Sequence, residues 1–241
     1  SRRVDLSSPC LDGTVPDPDA VEQPPAIVAK AISMAGPWGP VYGPVTLEIP
    51  RGGLTVLLAP PGAGRTALLM TFAGRMKPMG GSLEVMGETN VRNIFRDSVL
   101  AGVEELDAVY ESVTVRDLLT EKLRWDAPWY RRVRRADDAD LARVCAPVFG
   151  ALPLPELRSY VDELTELQAL LLRVALANTT APPLLVVGGI DQVAEDESRM
   201  ELVRRLVDVG ERQTVVTASA NPVPDGLGVR IQLPLAQKDG V

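Results

Sequence analysis

The sequence predicts an α/β fold, a mostly parallel sheet covered by helices. Three observations carry that expectation. Leu54 to Ala59 is a short apolar run bounded by Gly52-Gly53 and Pro60-Pro61, and it leads through Pro61-Gly62-Ala63-Gly64-Arg65-Thr66 into the apolar run Ala67 to Phe72; that is strand, glycine turn, helix. Leu184 to Val187 and Thr214 to Thr217 are short apolar or β-branched runs, the pattern of strands buried on both faces, and helical patterns alternate with them. Such alternation favours parallel pairing through right-handed crossovers. With 241 residues and 46% hydrophobic content, the chain can bury a large core.

The remaining elements follow in order. Residues 1–25, rich in Ser, Asp and Pro and without periodicity, are expected to form a flexible leader. The folded domain is expected over 26–235, followed by a tail at 236–241. Ile27 to Met34 and Val45 to Ile49 have strand patterns, separated by the turn-rich Gly36-Pro-Trp-Gly-Pro40. After the glycine loop and its helix, Lys77 to Gly87 predicts a turn and a short hairpin, and Val99 to Val103 a core strand. Thr114 to Arg124 is helical, and so is Ala136 to Phe149, with Asp137-Asp138 in a first turn where carboxylates suit the helix dipole. Glu163 to Asn178 has the strongest helical pattern of the second half, and Glu195 to Val209 the last one. There is no internal repeat and no coiled-coil heptad.

Composition narrows the function. Histidine is absent, which excludes histidine general bases, histidine metal ligands and Ser-His triads. A net charge of −7 argues against nucleic acid as a partner. Cys10 and Cys145 do not make a disulfide framework and fit a reducing cytosol. No apolar run approaches the ~20 residues that span a bilayer, and no signal-peptide pattern stands at the start.

The glycine loop is of the phosphate-binding kind. Glycines let the backbone curl so that successive N–H groups converge, and the helix N-terminus adds partial positive charge. Against the pattern G-x-x-x-x-G-K-[ST], Ala59 takes the first Gly, Arg65 takes the Lys, and Thr66 is kept. Arginine keeps the charge but brings a wide planar fork where a slim ammonium is suited to reach phosphates. Only four lysines stand against 21 arginines, so compositional drift also accounts for Arg65. A glycine-rich turn without ligand is the plainer alternative.

The order of motifs from about Ile27 to Leu233 resembles the ATP-binding subunit of an ABC transporter. Val45-Thr-Leu-Glu-Ile-Pro-Arg-Gly52 looks like that family's strand and turn before the P-loop, and Lys77-Pro-Met-Gly-Gly-Ser-Leu83 like the segment after it. Val113-Thr-Val-Arg-Asp-Leu-Leu119 is similar to the opening of its helical subdomain. Leu164-Thr165-Glu166-Leu167-Gln168, followed by Arg173-Val-Ala-Leu-Ala177, looks like the signature and its helix. Pro182 to Val187 lies at the Walker B strand, and Thr214 to Ser219 at the switch strand. The resemblance implies a RecA-like P-loop NTPase core with a small antiparallel β part and an inserted helical subdomain at about 112–165. It also implies ATP or ADP held by Gly62, Ala63, Gly64, Arg65, Thr66 and Ala67, with Thr66 on Mg²⁺ and an aromatic on the adenine. Trp38 and Tyr42 both qualify for that stacking, Trp38 slightly better, and packing serves as well for either.

The departures from the family imply impaired catalysis. Gly188-Gly189 stand where the Walker B Asp-Glu pair is expected, and Ser219 where the switch histidine is. Little then remains to hold Mg²⁺ or to act as general base. Asp191 and Glu195 are the displaced carboxylates of an active alternative, Asp191 being expected to point elsewhere as a loop or cap carboxylate. Glu105, or Glu104, takes the place of the Q-loop glutamine. In the signature, Glu166 and Leu167 replace two glycines and are expected to repel and crowd a partner's phosphate. The expected function is a degenerate nucleotide-binding subunit, a pseudo-ATPase with a structural or regulatory role. Its partners are a permease-like integral membrane protein and a second nucleotide-binding subunit, as homodimer or heterodimer, at the inner face of the cell membrane. A scaffold that binds no nucleotide and a soluble P-loop kinase or GTPase-like enzyme are the other readings. Arg124 to Arg135, the one dense basic-aromatic stretch, is either an exposed helical face or a contact with a membrane partner or anionic headgroups.

Overall fold

The computed structural model describes residues 23–103 and 113–235. Two sheets share the chain. Strands β1 (Ile27–Gly36), β2 (Gly39–Ile49) and β4 (Gly80–Val85) form an antiparallel sheet in the order β2-β1-β4. Strands β3 (Gly53–Leu58), β5 (Ser98–Ala101), β6 (Leu184–Val187), β7 (Thr214–Ser219) and β8 (Ile231–Pro234) form a parallel sheet in the order β5-β6-β7-β3-β8. Helices α1 (Ala63–Phe72), α2 (Val91–Arg96), α3 (Val115–Asp126), α4 (Asp138–Phe149), α5 (Glu166–Ala177) and α6 (Asp196–Gly210) complete it.

The parallel sheet is covered on both faces, which explains its continuous apolar runs. Leu54, Val56, Leu185, Val187 and Val215 face one core together with α3 to α6. Leu57, Leu184, Val186, Val216 and Ala218 face the other, with α1 and the antiparallel sheet. Helix α1 therefore lies between two sheets, with Leu68, Leu69 and Phe72 buried. The Tyr42 hydroxyl, 2.9 Å from Thr71 Oγ1, fastens β2 to α1.

The sequence expectations meet this structure with three differences. Lys77 to Gly87 does not make a hairpin of its own; β4 pairs with β1, Ile27 opposite Val85, because that register buries Leu83 and Val85 beside Ile27. Strand β2 starts earlier than Val45, and the turn before it is confined to Pro37 and Trp38. Helix α2 and strand β8 had no signal, both being short; β8 forms because β3 offers it a free edge. The helix starts follow the polar residues ahead of them. Thr114 caps α3, and Asp137 and Asp140 form a reciprocal capping box on α4. The leader residues before position 23, the tail from position 236 and Glu104 and Glu105 lie outside the described residues.

Cys145 on α4 is fully buried in the helical core, and burial pushes its thiol up from an ordinary 9.0 to about 12. Its stabilising contribution is fully present below pH 9.0 and is lost as pH rises towards 12, because the unfolded thiol ionises first. In a Cys10→Ser variant, a thiol reagent at mildly alkaline pH is expected to leave Cys145 unmodified until denaturant is added; rapid modification of the native protein would contradict this burial.

Candidate functional site

The glycine loop sits where its sequence context places it, between the end of β3 and the start of α1. Gly62 precedes α1 at φ 148°, a left-handed conformation that glycine alone adopts without strain, and no side chain caps the helix. Gly64 is required for room: a Cβ there would collide with the Val41 carbonyl of β2. Two cavities flank the loop. One, of about 170 Å³, lies between Gly62, Arg65, Thr66 and the facing Gly102, Gly188 and Gln192. The other, of about 310 Å³, lies between the Val41 to Val45 stretch of β2 and the Ala59 to Gly64 turn. Arg65 lines both.

Arg65 defines the site. Its guanidinium folds back over the loop, donates to the Ala59 carbonyl at 3.2 Å, and pairs with Asp191 at 2.5 Å. The arginine side chain is only 10% exposed. Asp191 has further partners: the Ala220 N–H at 3.1 Å and the Ser219 hydroxyl at 3.5 Å, both at the end of β7. Asp191 thus does not point elsewhere. A 3₁₀ turn over Ile190–Gln192 reverses the chain directly after Gly188-Gly189 and returns the carboxylate to the loop.

The two glycines are there for space. Gly189 has φ −58°, open to any residue, but a Cβ would lie 2.9 Å from Arg65 Cζ. A Cβ on Gly188 would lie 2.7 Å from the Gln192 amide nitrogen and collide with the Gly102 carbonyl. Gln192 holds that corner by donating to the Gly102 and Gly189 carbonyls at 2.7 and 2.9 Å, and Thr217 donates to the Gly188 carbonyl at 2.7 Å. The Arg65 side chain thus occupies the space beside the two glycines at the end of β6.

The other sequence candidates are placed as follows. Thr66 lines the smaller cavity, Ala63 is exposed at the helix start, and Ala67 is buried in the core. Trp38 is 99% exposed at the β1–β2 turn and lines neither cavity, whereas Tyr42 is buried and hydrogen-bonded to Thr71. Thr165 and Gln168 cap each other at the start of α5, and Leu164 and Leu167 pack against the helical core. Glu166 accepts the Ala194 N–H of its own chain at 2.7 Å. Glu166 is otherwise exposed, and Leu167 is half-buried. Among the described residues no cluster of three or more His, Cys, Asp or Glu could hold a metal. From sequence, Asp191 counts only as the displaced carboxylate of the active alternative and otherwise points away from the loop, and Gln192 is not singled out. The available signal was the pairing of an oversized Arg65 with two glycines, since a partly buried guanidinium calls for a nearby carboxylate.

This strand, P-loop and helix on a parallel sheet, with a separate antiparallel sheet, define an α/β P-loop NTPase fold. No protein-family model matches the chain. It is 40% identical over 81 residues to the phosphonates import ATP-binding protein PhnC of Anaeromyxobacter dehalogenans, covering 32% of this chain and 16% of that protein. It is 27% identical over 194 residues to the sulfate/thiosulfate import ATP-binding protein CysA of Mycobacterium tuberculosis, covering 77% and 53%. The chain thus spans about half or less of these relatives' length. In structure it resembles cbiO1 of Clostridium perfringens, described as part of the ABC transporter complex cbiONQ, with TM-score 0.66, 14% identity, and 88% and 85% of the two chains covered. A putative ABC transporter ATP-binding protein of Pyrococcus furiosus gives TM-score 0.64 at 17% identity, covering 87% and 96%. Sequence likeness and fold together support an ABC-type nucleotide-binding domain.

The steric coupling of positions 65 and 189 gives a direct test. Gly189→Glu alone is expected to destabilise by about 1–3 kcal/mol through overpacking, and Arg65→Lys in the same chain to recover most of that loss. Denaturant midpoints of the two single variants and the double variant measure the coupling; strict additivity would show that the two side chains do not compete for one space.

Proposed function

We propose that this chain is a degenerate ABC-type nucleotide-binding subunit with weak or no ATP hydrolysis, docked on a permease-like membrane protein at the inner face of the membrane, where its role is structural or regulatory. The observation that carries the reading is the Arg65–Asp191 pair. The only carboxylate that reaches the P-loop among the described residues is neutralised by the loop's own arginine, and the β6 end offers two glycines. A water poised for attack on a terminal phosphate would find no free base among the described residues, and the chain has no histidine to supply one. No described helix is long and apolar enough to cross a membrane, so in this reading the bilayer is reached through a partner or along its surface.

Nucleotide is assigned to Gly62–Thr66. The loop N–H groups and the helix dipole favour phosphate, and a polyphosphate can compete with Asp191 for the Arg65 guanidinium. ATP and ADP fit such a loop; Mg²⁺ fits poorly, with Thr66 as the isolated ligand. Glu166 and Leu167, engaged within their own subunit, give ATP little to bridge to a second subunit. Pairing as homodimer or heterodimer is then expected to proceed without ATP-driven closure.

A second reading rests on the same pair. Asp191, released when phosphates draw Arg65 away, would stand beside the loop as a displaced carboxylate, and the subunit would be an active transporter ATPase.

Purified chain is expected to release phosphate from ATP far below ~1 s⁻¹, the lower end of ordinary enzyme turnover. Steady release at that rate or faster, abolished by Thr66→Ala and by Asp191→Asn, would replace the first reading by the second.

Titration calorimetry with and without Mg²⁺ probes the metal. ATP affinity is expected to change by less than about threefold, well under the tenfold that ~1.4 kcal/mol represents. A large enhancement by Mg²⁺ would mean that a further carboxylate completes a metal site.

A further inference from the structure

The stretch from the end of α3 to the start of α4 carries the chain's most unusual surface. Trp125 is 79%, Trp129 96% and Tyr130 74% exposed, and the last two rings meet edge to face at 5.9 Å. Isolated exposed apolar residues are ordinary, but three large aromatics within six positions are not. The same stretch, residues 124–135, holds five arginines and one acidic residue in a chain whose net charge is −7.

Ion pairing divides those arginines. Arg134 is answered by Asp137 and Asp140, and Arg135 by Asp117. Asp126, the acidic residue of the stretch, is taken by Lys122 and Thr179. Arg124, Arg131 and Arg132 are exposed and have no carboxylate partner among the described residues. Arg131 and Arg132 also line a groove of about 560 Å³ whose aspartates, Asp126 and Asp140, are already paired.

Exposed Trp and Tyr beside unpaired cations match one environment in particular. Trp and Tyr favour the headgroup level of a bilayer, where their rings leave water while their polar edges stay hydrated. Clustered arginines gain from an anionic lipid surface, each by roughly fivefold in partitioning. An exposed carboxylate, Glu121, accepts from the Trp125 indole N–H at 3.5 Å, yet within residues 124–135 the charges without an ion-pair partner among the described residues are all arginines, and that local excess of positive charge suits an anionic surface. We propose that this loop is a peripheral anchor for anionic lipid: the Trp125, Trp129 and Tyr130 rings enter the headgroup layer, and Arg124, Arg131 and Arg132 meet its phosphates. The anchor is independent of the nucleotide site and of any permease, so vesicles without protein suffice to test it.

The full chain is mixed at low salt with vesicles of phosphatidylcholine, with or without phosphatidylglycerol, and sedimented. It is expected to sediment with the anionic vesicles only. Arg131→Glu with Arg132→Glu is expected to weaken this by at least tenfold, and raised salt to weaken it further. In a Trp38→Phe, Trp125→Phe background the Trp129 emission is expected to shift to the blue on anionic vesicles. These side chains are exposed, so melting by circular dichroism is expected to be unchanged; if charge reversal alters it, Arg131→Gln with Arg132→Gln replaces that variant. Absence of phosphatidylglycerol-dependent sedimentation, binding indifferent to the arginine substitutions, or an unshifted Trp129 emission would each overturn the proposal. So would variants that bind vesicles normally yet lose a detergent-extracted protein partner, which would make the loop a protein contact.

Discussion

The site depends on one ion pair, Arg65 with Asp191 across the mouth of the P-loop. Each neighbouring oddity follows from it. A side chain at Gly189 would have to displace that guanidinium. Its charge, nearly buried, requires a carboxylate, and the 3₁₀ turn after Gly189 delivers Asp191. Asp191 in turn is held by Ala220 and Ser219, so the end of β7 is shaped by the same interaction. Residues that look like independent losses when compared with a family pattern are, in space, one rearranged cluster.

That clustering explains what the sequence shows and what it hides. The parallel sheet was legible because Leu54 to Leu58, Leu184 to Val187 and Thr214 to Thr217 are apolar or β-branched runs buried on both faces, and the helices were legible from their apolar periodicity, with Thr114 read at the start of α3 but the helix that Thr165 caps begun too early, at Glu163. The P-loop was legible from its glycines. Asp191 was not, because register along a strand says nothing about a tight turn beyond its end. Tyr42 and Trp38 could not be told apart in sequence, being four positions apart; the turn leaves Trp38 in water, whereas Tyr42, its hydroxyl hydrogen-bonded to Thr71, lines the larger cavity beside the P-loop.

The signature-like segment makes a similar point about resemblance. Thr165 and Gln168 match the family pattern, yet here each caps the other's backbone at the start of α5, a role any helix N-terminus can use. Glu166, which breaks the pattern, ties the same helix start to Ala194. Matching and departing residues alike are engaged inside the subunit. The likeness in fold to ABC cassettes therefore rests on the whole architecture more than on these five positions.

The ends of four strands under the P-loop, β3, β5, β6 and β7, are cross-tied. Ala59 N–H meets the Ser219 carbonyl, Gly188 N–H meets the Ala101 carbonyl, and Thr217 holds the Gly188 carbonyl. Mechanically this is a stiff floor with core on either side. A ligand settling on it has little to bend, since any displacement would strain several buried hydrogen bonds at once. Binding energy gained there is expected to stay in the complex as affinity rather than to drive a rearrangement of the sheet.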